Sequence, residues 1–132
     1  MWWRAYHGPV PTSALRPWIP VVLWAAVIFA LSSVPDLGTG LGTWDLVLRK
    51  LAHAGEFAVL GALLLRALGA ERTALALGIA YAVSDEVHQH FVPGRVGSPI
   101  DVLIDSVGVA IGVALWRVRP RGEPPQSGKS VR

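Results

Sequence analysis

The sequence predicts an all-α membrane protein that forms a bundle of four transmembrane helices. Of its 132 residues, 52% are hydrophobic and only 16% are charged, whereas soluble domains carry about 25% charged residues. The mean hydropathy is +0.46, and the apolar residues form four long segments without the alternation typical of strands. Because only helices and closed barrels satisfy their backbone hydrogen bonds in lipid, these observations favour a helical bundle.

The first apolar segment runs from about Trp18 to Val34, contains no charged residue and is closed by Pro35. Its length is close to what a helix rising about 1.5 Å per residue needs to cross a hydrocarbon core of about 30 Å. A cleaved signal peptide is the alternative, with residues 30–32 as a weak cleavage site. We favour a retained helix, because the apolar core of a signal peptide has only about 7 to 15 residues.

The other three segments are less purely apolar, because each carries ionisable side chains near one end. They run from about Leu51 to Leu68, from about Ala74 to Phe91 and from about Ile100 to Trp116. The short connections between them predict helical hairpins, since neighbouring helices in a bundle are joined by short loops. Residues 18–116 are therefore expected to form one membrane domain.

The basic residues predict how the bundle lies in the membrane. Nine of the twelve Lys and Arg residues fall on the side that both termini would share after four spans, and three fall on the opposite side. The positive-inside rule then places both termini in the cytoplasm. Residues 1–17 are expected to be a cytoplasmic N-terminal segment, and residues 117–132, rich in Pro, Gly and Arg, a disordered basic tail. The pI near 10.0 therefore reflects topology, and we expect no nucleic-acid partner.

Five acidic residues mark a candidate site at the outer ends of the last three segments. They are Glu56, Asp85, Glu86, Asp101 and Asp105. An Asp at the centre of a membrane helix costs about +2.5 to +3.5 kcal/mol on insertion scales, so five acids in so small a chain indicate a use. The chain has no cysteine, which excludes disulfides, thiolate metal sites and a cysteine nucleophile.

Helical spacing predicts that each of these segments presents one polar pair on one face, because residues three or four positions apart are neighbours. The pairs are His53 with Glu56, Asp85 with Gln89, and Asp101 with Asp105. A simpler alternative stays open, in which such pairs only hydrogen-bond helices to one another.

A turn at Pro93 and Gly94 separates the third segment from the fourth, and Arg95 stands at its exit. The planar guanidinium of an arginine there can offer two parallel N–H donors to a phosphate or a carboxylate.

Several spaced motifs lie within a stretch of about residues 24–116. They are Ser32-Ser33-x-Pro35, Lys50-x-x-His53-x-x-Glu56-Phe57-x-x-Leu60-Gly61, Tyr81-x-x-Ser84-Asp85-Glu86-x-x-Gln89-x-Phe91-x-Pro93-Gly94-Arg95 and Asp101-x-x-x-Asp105-x-x-Gly108. Together they make the chain similar to the VanZ-like family, and the run from Asp85 to Arg95 is long enough to be specific.

The resemblance implies chemistry on phospholipid or polyprenyl-phosphate head groups, with a link to teicoplanin resistance. We therefore expect a membrane enzyme that exchanges or cleaves a lipid phosphate head group at the outer leaflet, with His53 as general base or nucleophile. The candidate catalytic residues are His53, Glu56, Asp85 and Glu86, and the candidate substrate-binding residues are Lys50, Gln89, Arg95, Asp101 and Asp105.

The clustered acids are also compatible with Mg²⁺ or Mn²⁺ as a cofactor. Two other functions stay open at this point. One is a non-catalytic module that binds a cell-wall lipid precursor or a glycopeptide, and the other is a purely structural bundle.

Overall fold

The computed structural model describes residues 12–35, 40 and 42–120, and within these residues the chain is helical and contains no strand. The predicted tail beyond residue 120 and most of the N-terminal segment lie outside the described residues. The elements are a single turn α1 (Thr12–Leu15) followed by four longer helices, α2 (Trp18–Ser32), α3 (Thr43–Leu68), α4 (Glu71–His90) and α5 (Pro99–Val118).

Each predicted segment corresponds to one of the four longer helices, but α3 begins at Thr43 rather than at about Leu51. In the sequence, the charges of Arg49 and Lys50 indicate that the apolar segment begins only after them. In the structure both cations have acidic partners, since Arg49 pairs with Asp45 one turn earlier and Lys50 pairs with Asp101 of α5. The helix therefore continues through its charged residues.

Three helices of the described part are long and apolar enough to cross a membrane. They comprise residues Ser13–Ser32, Thr43–Leu68 and Pro99–Val118. Helix α4 also has 20 residues, but it is not among them, because it carries charged side chains near both ends. The all-helical membrane architecture is confirmed, whereas the number of four transmembrane helices stays a prediction.

Helices α3 and α5 run parallel and pack closely through glycine. Gly108 faces the backbone carbonyl of Ala54, and Gly112 faces that of Ala58. A Cβ atom on either glycine would overlap the carbonyl oxygen opposite, and Gly61 approaches α5 in the same way from the α3 side. Small residues allow such close backbone contact between membrane helices, so this interface sets the register of α3 against α5.

Helix α2 packs against α3 and α4 and is fastened by hydrogen bonds. The indole Nε1 of Trp24 donates to the carbonyl oxygen of Glu56 on α3 at 2.8 Å. The hydroxyl of Tyr81 on α4 donates to the carbonyl oxygen of Ala25 at 2.6 Å. As a result, the C-terminal ends of α2 and α4 meet the N-terminal halves of α3 and α5 at one end of the bundle, where the predicted site residues lie.

Candidate functional site

His53 on α3 is the centre of a hydrogen-bond network that joins the four longer helices. Its Nδ1 lies 3.0 Å from Oδ1 of Asp105 on α5, and its Nε2 lies 3.3 Å from Oδ2 of Asp85 on α4. The same Nε2 is 3.3 Å from the hydroxyl of Ser32, the last residue of α2. The side chains of Asp105 and Asp85 are only 2% and 1% exposed. One imidazole is thus held between two buried carboxylates.

Asp85 accepts hydrogen bonds from two further side chains. The hydroxyl of Ser32 and the Nε2 of Gln89 each donate to its Oδ2 at 2.8 Å. Its other oxygen, Oδ1, is buried and has no hydrogen-bond partner among the described residues. The predicted pairing of Asp85 with Gln89 is therefore present, and it is extended to α2 through Ser32.

Glu56 contributes less to the network than the spacing predicts. Its Oε2 is 4.0 Å from Nε2 of His53, which is beyond hydrogen-bond distance,. That oxygen is buried without a hydrogen-bond partner in the part of the chain that the structure describes. The side chain shares the face of His53, as expected, but it is not a direct hydrogen-bond partner of the ring.

Arg95 links the loop after α4 to the end of α2. Its Nε donates to the carbonyl of Val34, just beyond the end of α2, at 2.9 Å, and its Nη2 donates to the carbonyl of Leu31, in the last turn of α2, at 3.2 Å. Its Nη1 donates to Oε1 of Gln89 at 3.2 Å. A guanidinium has five N–H donors, and these bonds use three of them among the described residues.

An open pocket of about 250 Å³ adjoins this network. Asp85 and Glu56 do not line it, and Asp85 is connected to the pocket wall through His53 and Gln89. Seven of the nine predicted site residues line the pocket, namely Lys50, His53, Glu86, Gln89, Arg95, Asp101 and Asp105.

The predicted pair of Asp101 and Asp105 divides between two partners on α3. Asp101 forms an ion pair with Lys50 at the half-exposed mouth of the pocket, and Asp105 contacts His53 one turn deeper. The two contacts are successive links between the same two helices. The first is accessible to solvent, and the second is almost fully buried.

Glu86 anchors the start of α5. Its Oε1 accepts the backbone N–H of Ser98, the N-cap residue of α5, at 2.5 Å. Its Oε2 is buried and has no hydrogen-bond partner among the described residues. One oxygen of this carboxylate therefore positions the start of α5, and the other accepts no hydrogen bond from the described residues.

Two residues of this site were not assigned a role from the sequence. Ser32 is fully buried and contacts Asp85 and His53. Its signals in the sequence are its place at the end of an uncharged segment and its place in the Ser32-Ser33-x-Pro35 motif. Arg49 lines the pocket beside Lys50, and its signal is a second cation on the side of the membrane that carries few.

The compatibility of the clustered acids with Mg²⁺ or Mn²⁺ stays a prediction, and the described residues do not form a ready-made site for either ion. In the described part of the chain, no group of three or more His, Asp or Glu side chains is arranged to hold a metal ion. The pocket carboxylates instead point to separate partners, since Asp105 contacts His53, Asp101 contacts Lys50 and Glu86 contacts a backbone N–H.

Comparison with known proteins identifies a family and a relative. Residues 10–119 match the family model described as VanZ/LLP1. A protein of Bacillus subtilis (strain 168) described as "Uncharacterized membrane protein YwnJ" is 34% identical over 108 residues, which cover 76% of each chain. No solved structure matches.

Proposed function

The chain belongs to the VanZ/LLP1 family, and we propose that this membrane protein binds the phosphate-bearing head group of a membrane lipid in the pocket beside His53. The placement of the basic residues supports this most directly. Arg49, Lys50 and Arg95 are the three Lys or Arg residues that the sequence assigns to the outer side, and all three line the pocket. Because basic residues are depleted on that side, their convergence at one cavity indicates an anionic ligand.

The proposal includes four membrane crossings. A helix of 20 residues such as α4 is about 30 Å long, enough to cross the hydrocarbon core. The acids near its end, Asp85 and Glu86, are buried, so they face protein rather than lipid. Four crossings place both termini on the basic side, in the cytoplasm, and the pocket at the outer leaflet.

Arg95 and Lys50 are the groups that bind phosphate in this proposal. Arg95 lines the pocket with a planar guanidinium, of whose five N–H donors three are used by partners among the described residues,. Lys50 lies half-exposed at the pocket mouth. Leu46 and Ile104 also line the pocket and provide an apolar wall for the part of the lipid next to its head group.

Exchange or cleavage of the head group is the first candidate for the step after binding. Asp105 faces Nδ1 of His53, and a carboxylate in this position orients an imidazole for proton transfer. His53 also lines the pocket. In this mechanism His53 accepts the proton of an attacking water or alcohol as its oxygen bonds to phosphorus, and returns that proton to the leaving alcohol oxygen as its P–O bond breaks. Arg95 and Lys50 stabilise the charge that develops on phosphate.

Recognition without turnover is the second candidate, and a specific observation favours it. Both ring nitrogens of His53 already face carboxylates of the protein, Asp105 on one side and Asp85 on the other. The protein is then a non-catalytic module that binds a cell-wall lipid precursor. A glycopeptide is a poor occupant, because a pocket of 250 Å³ is smaller than the pockets of about 300 to 1,000 Å³ that hold drug-sized ligands.

The purified full chain tests both candidates when it is incubated in detergent micelles with short-chain phospholipids. Native mass spectrometry measures binding, and mass spectrometry of the extracted lipid measures any change of head group. Bound lipid with a new head group supports the enzyme, and bound lipid without product supports recognition. No binding to any phosphate-bearing lipid would contradict the proposed function.

A His53→Ala variant then tests whether this side chain takes part in turnover. Turnover that is unchanged in His53→Ala removes the proposed mechanism. Glu71→Gln is the matched control, because Glu71 is an exposed acid paired with Arg117 in the described structure and does not line the pocket. Lipid extracts and teicoplanin susceptibility of cells with and without the gene test the link to resistance.

A further inference from the structure

We propose that Gln89 is a positioning residue, whose amide holds the guanidinium of Arg95 in place for phosphate and links it to the buried carboxylate of Asp85. This inference rests on the proposed function, because it concerns the arginine that binds phosphate in the same pocket. It follows from the two ends of the amide, from their burial and from the other contacts of Arg95.

The amide of Gln89 contacts opposite charges at its two ends. Its Nε2 donates to Oδ2 of Asp85 at 2.8 Å, and its Oε1 accepts from Nη1 of Arg95 at 3.2 Å. An ionised carboxylate accepts hydrogen bonds and a guanidinium donates them. The reversed amide would place its oxygen against the carboxylate and its NH₂ against the guanidinium, so the two neighbours fix its orientation.

Glutamine is the residue of this length that matches both neighbours. Its side chain offers a donor and an acceptor together, whereas an ionised glutamate offers acceptors only and a lysine offers donors only. Glutamate at position 89 would set a second carboxylate against Asp85, and lysine would set a second cation against Arg95. The contacts therefore explain why an uncharged amide stands between two charged side chains.

The bridge leads from the pocket into the protein. Gln89 and Arg95 line the pocket, whereas Asp85 does not. Gln89 is 8% exposed, and Asp85 lies one turn earlier on the same face of α4,. The Nε2 of Gln89 is also 3.4 Å from the hydroxyl of Ser32 and from Nε2 of His53. One end of the amide thus faces the buried network, and the other end faces Arg95.

Arg95 benefits from such a partner, because it stands in the loop between α4 and α5. Its Nε and Nη2 donate to the carbonyls of Val34 and Leu31, and Gln89 provides the acceptor for Nη1. Contacts on all three nitrogens fix both the position and the plane of the guanidinium. Ordering a long side chain before the ligand arrives lowers the cost of binding, and a planar group of donors must be oriented to match phosphate.

A positioning residue differs from a direct ligand contact in how substitutions combine. If Gln89 acts through Arg95, removing its amide has no further effect on binding once the guanidinium is gone. If Gln89 contacts the ligand itself, the two losses are independent and their fold-changes multiply. The double variant therefore distinguishes the two roles.

The test is a titration of the full chain in detergent micelles with dihexanoyl phosphatidic acid, whose head group is phosphate alone. Gln89→Met keeps the length of the side chain and replaces its amide with a thioether, which is only a weak acceptor. We expect Gln89→Met and Arg95→Gln each to bind this lipid about tenfold more weakly than wild type, and the double variant to bind as weakly as Arg95→Gln alone.

Three results would contradict these expectations. A double variant that binds about a hundredfold more weakly than wild type would overturn the positioning role and leave the phosphate site standing. Wild-type affinity in folded Gln89→Met would overturn it as well. Failure of the wild type to bind phosphatidic acid would instead contradict the phosphate site of the proposed function.

Ser106→Ala is the matched control. It also removes a polar group that bonds within the protein, since the hydroxyl of Ser106 donates to the carbonyl of Val102 at 2.7 Å, and Ser106 does not line the pocket. We expect it to keep the wild-type affinity. A tenfold loss in Ser106→Ala too would show that any lost internal hydrogen bond weakens binding, and it would overturn the specific role of Gln89.

The guanidinium of Arg95 gives a readout in the wild type that needs no variant of Gln89. Nuclear magnetic resonance of the full chain with ¹⁵N-labelled arginine, in micelles without lipid, reports rotation about the Cζ–Nη1 bond, and Arg95→Gln identifies the signals. We expect slow rotation in the wild type and faster rotation in folded Gln89→Met, whose Nη1 has lost this acceptor. Free rotation in the wild type would overturn the proposal, even if Gln89→Met does not fold.

Discussion

The interface between α3 and α5 has two halves that differ in chemistry. Toward the start of α5, polar side chains meet, with Lys50 facing Asp101 and His53 facing Asp105. Further along, glycines of α5 lie against backbone carbonyls of α3. We refer to these as the polar half and the glycine half.

The difference indicates which part of the interface stabilises the fold. Close contact through glycine yields packing that membrane helices cannot obtain from the hydrophobic effect, because lipid is as apolar as their side chains. Buried ion pairs, by contrast, contribute little net stability, because removing charges from water offsets their attraction. The glycine half therefore accounts for the packing, and the polar half is best explained by binding or chemistry.

The largest expected effect is on the glycine half. A side chain at Gly112 would overlap the carbonyl oxygen of Ala58, and backbone cannot move aside as a flexible side chain can. Overpacking a core costs about 1 to 3 kcal/mol, so we expect Gly112→Leu to lower the free energy of unfolding by more than about 3 kcal/mol. Thermal unfolding in detergent, followed by circular dichroism, measures the change.

Gly55 provides the control on the same helix pair. A Cβ atom there meets no atom of another helix within 4 Å, so we expect Gly55→Leu to change stability by no more than about 0.5 kcal/mol. Similar melting temperatures for the two variants would contradict the importance of close glycine packing.

The second largest effect is expected when the buried contact between His53 and Asp105 in the polar half is removed. Asp105→Ala removes the acceptor from Nδ1 of His53, and the side chain of Asp105 is only 2% exposed. Breaking a buried pair costs about 3 to 5 kcal/mol. We expect a loss near about 3 kcal/mol and a smaller loss for Asp105→Asn, which keeps an acceptor oxygen.

A double-mutant cycle with His53→Ala isolates the pair itself. Because contacting residues are coupled, we expect the double variant to lose less stability than the sum of the single losses, by at least about 1 kcal/mol. Additive losses would show that the two side chains do not act as one unit.

The sequence predicts the helices well, because long apolar runs have few alternatives in lipid. It places the start of α3 too late, because Arg49 and Lys50 look like a membrane edge until their partners on α3 and α5 are known. It predicts that α4 crosses the membrane, although α4 is the least apolar of the four longer helices. Its charged side chains lower its hydropathy, and only the structure shows that Asp85 and Glu86 point inward.

The sequence predicts which residues form the site, but it does not predict which of them contact each other. Helical spacing brings the polar residues to one end of the bundle, yet the partner of each acid depends on the rotation of α5 against α3, which the glycine half determines. Ser32 illustrates the same limit. A serine in a helix usually bonds to a carbonyl one turn back, as Ser33 does with Phe29 at 2.7 Å, and nothing local distinguishes Ser32.

The smallest effect on stability is expected for a substitution of Lys50, and this substitution best separates ligand binding from helix packing. The side chain of Lys50 is 34% exposed, and ion pairs in such positions contribute about 0 to 1 kcal/mol. Lys50→Gln should therefore melt close to wild type while binding phosphate-bearing lipid about tenfold more weakly. Arg117→Gln, at the exposed pair with Glu71, removes the same charge and should leave binding unchanged. Equal loss of binding in both variants would mean that lipid is attracted by overall charge. Loss in Lys50→Gln alone, without loss of stability, means that the polar half is maintained for its ligand while the glycine half holds the helices together.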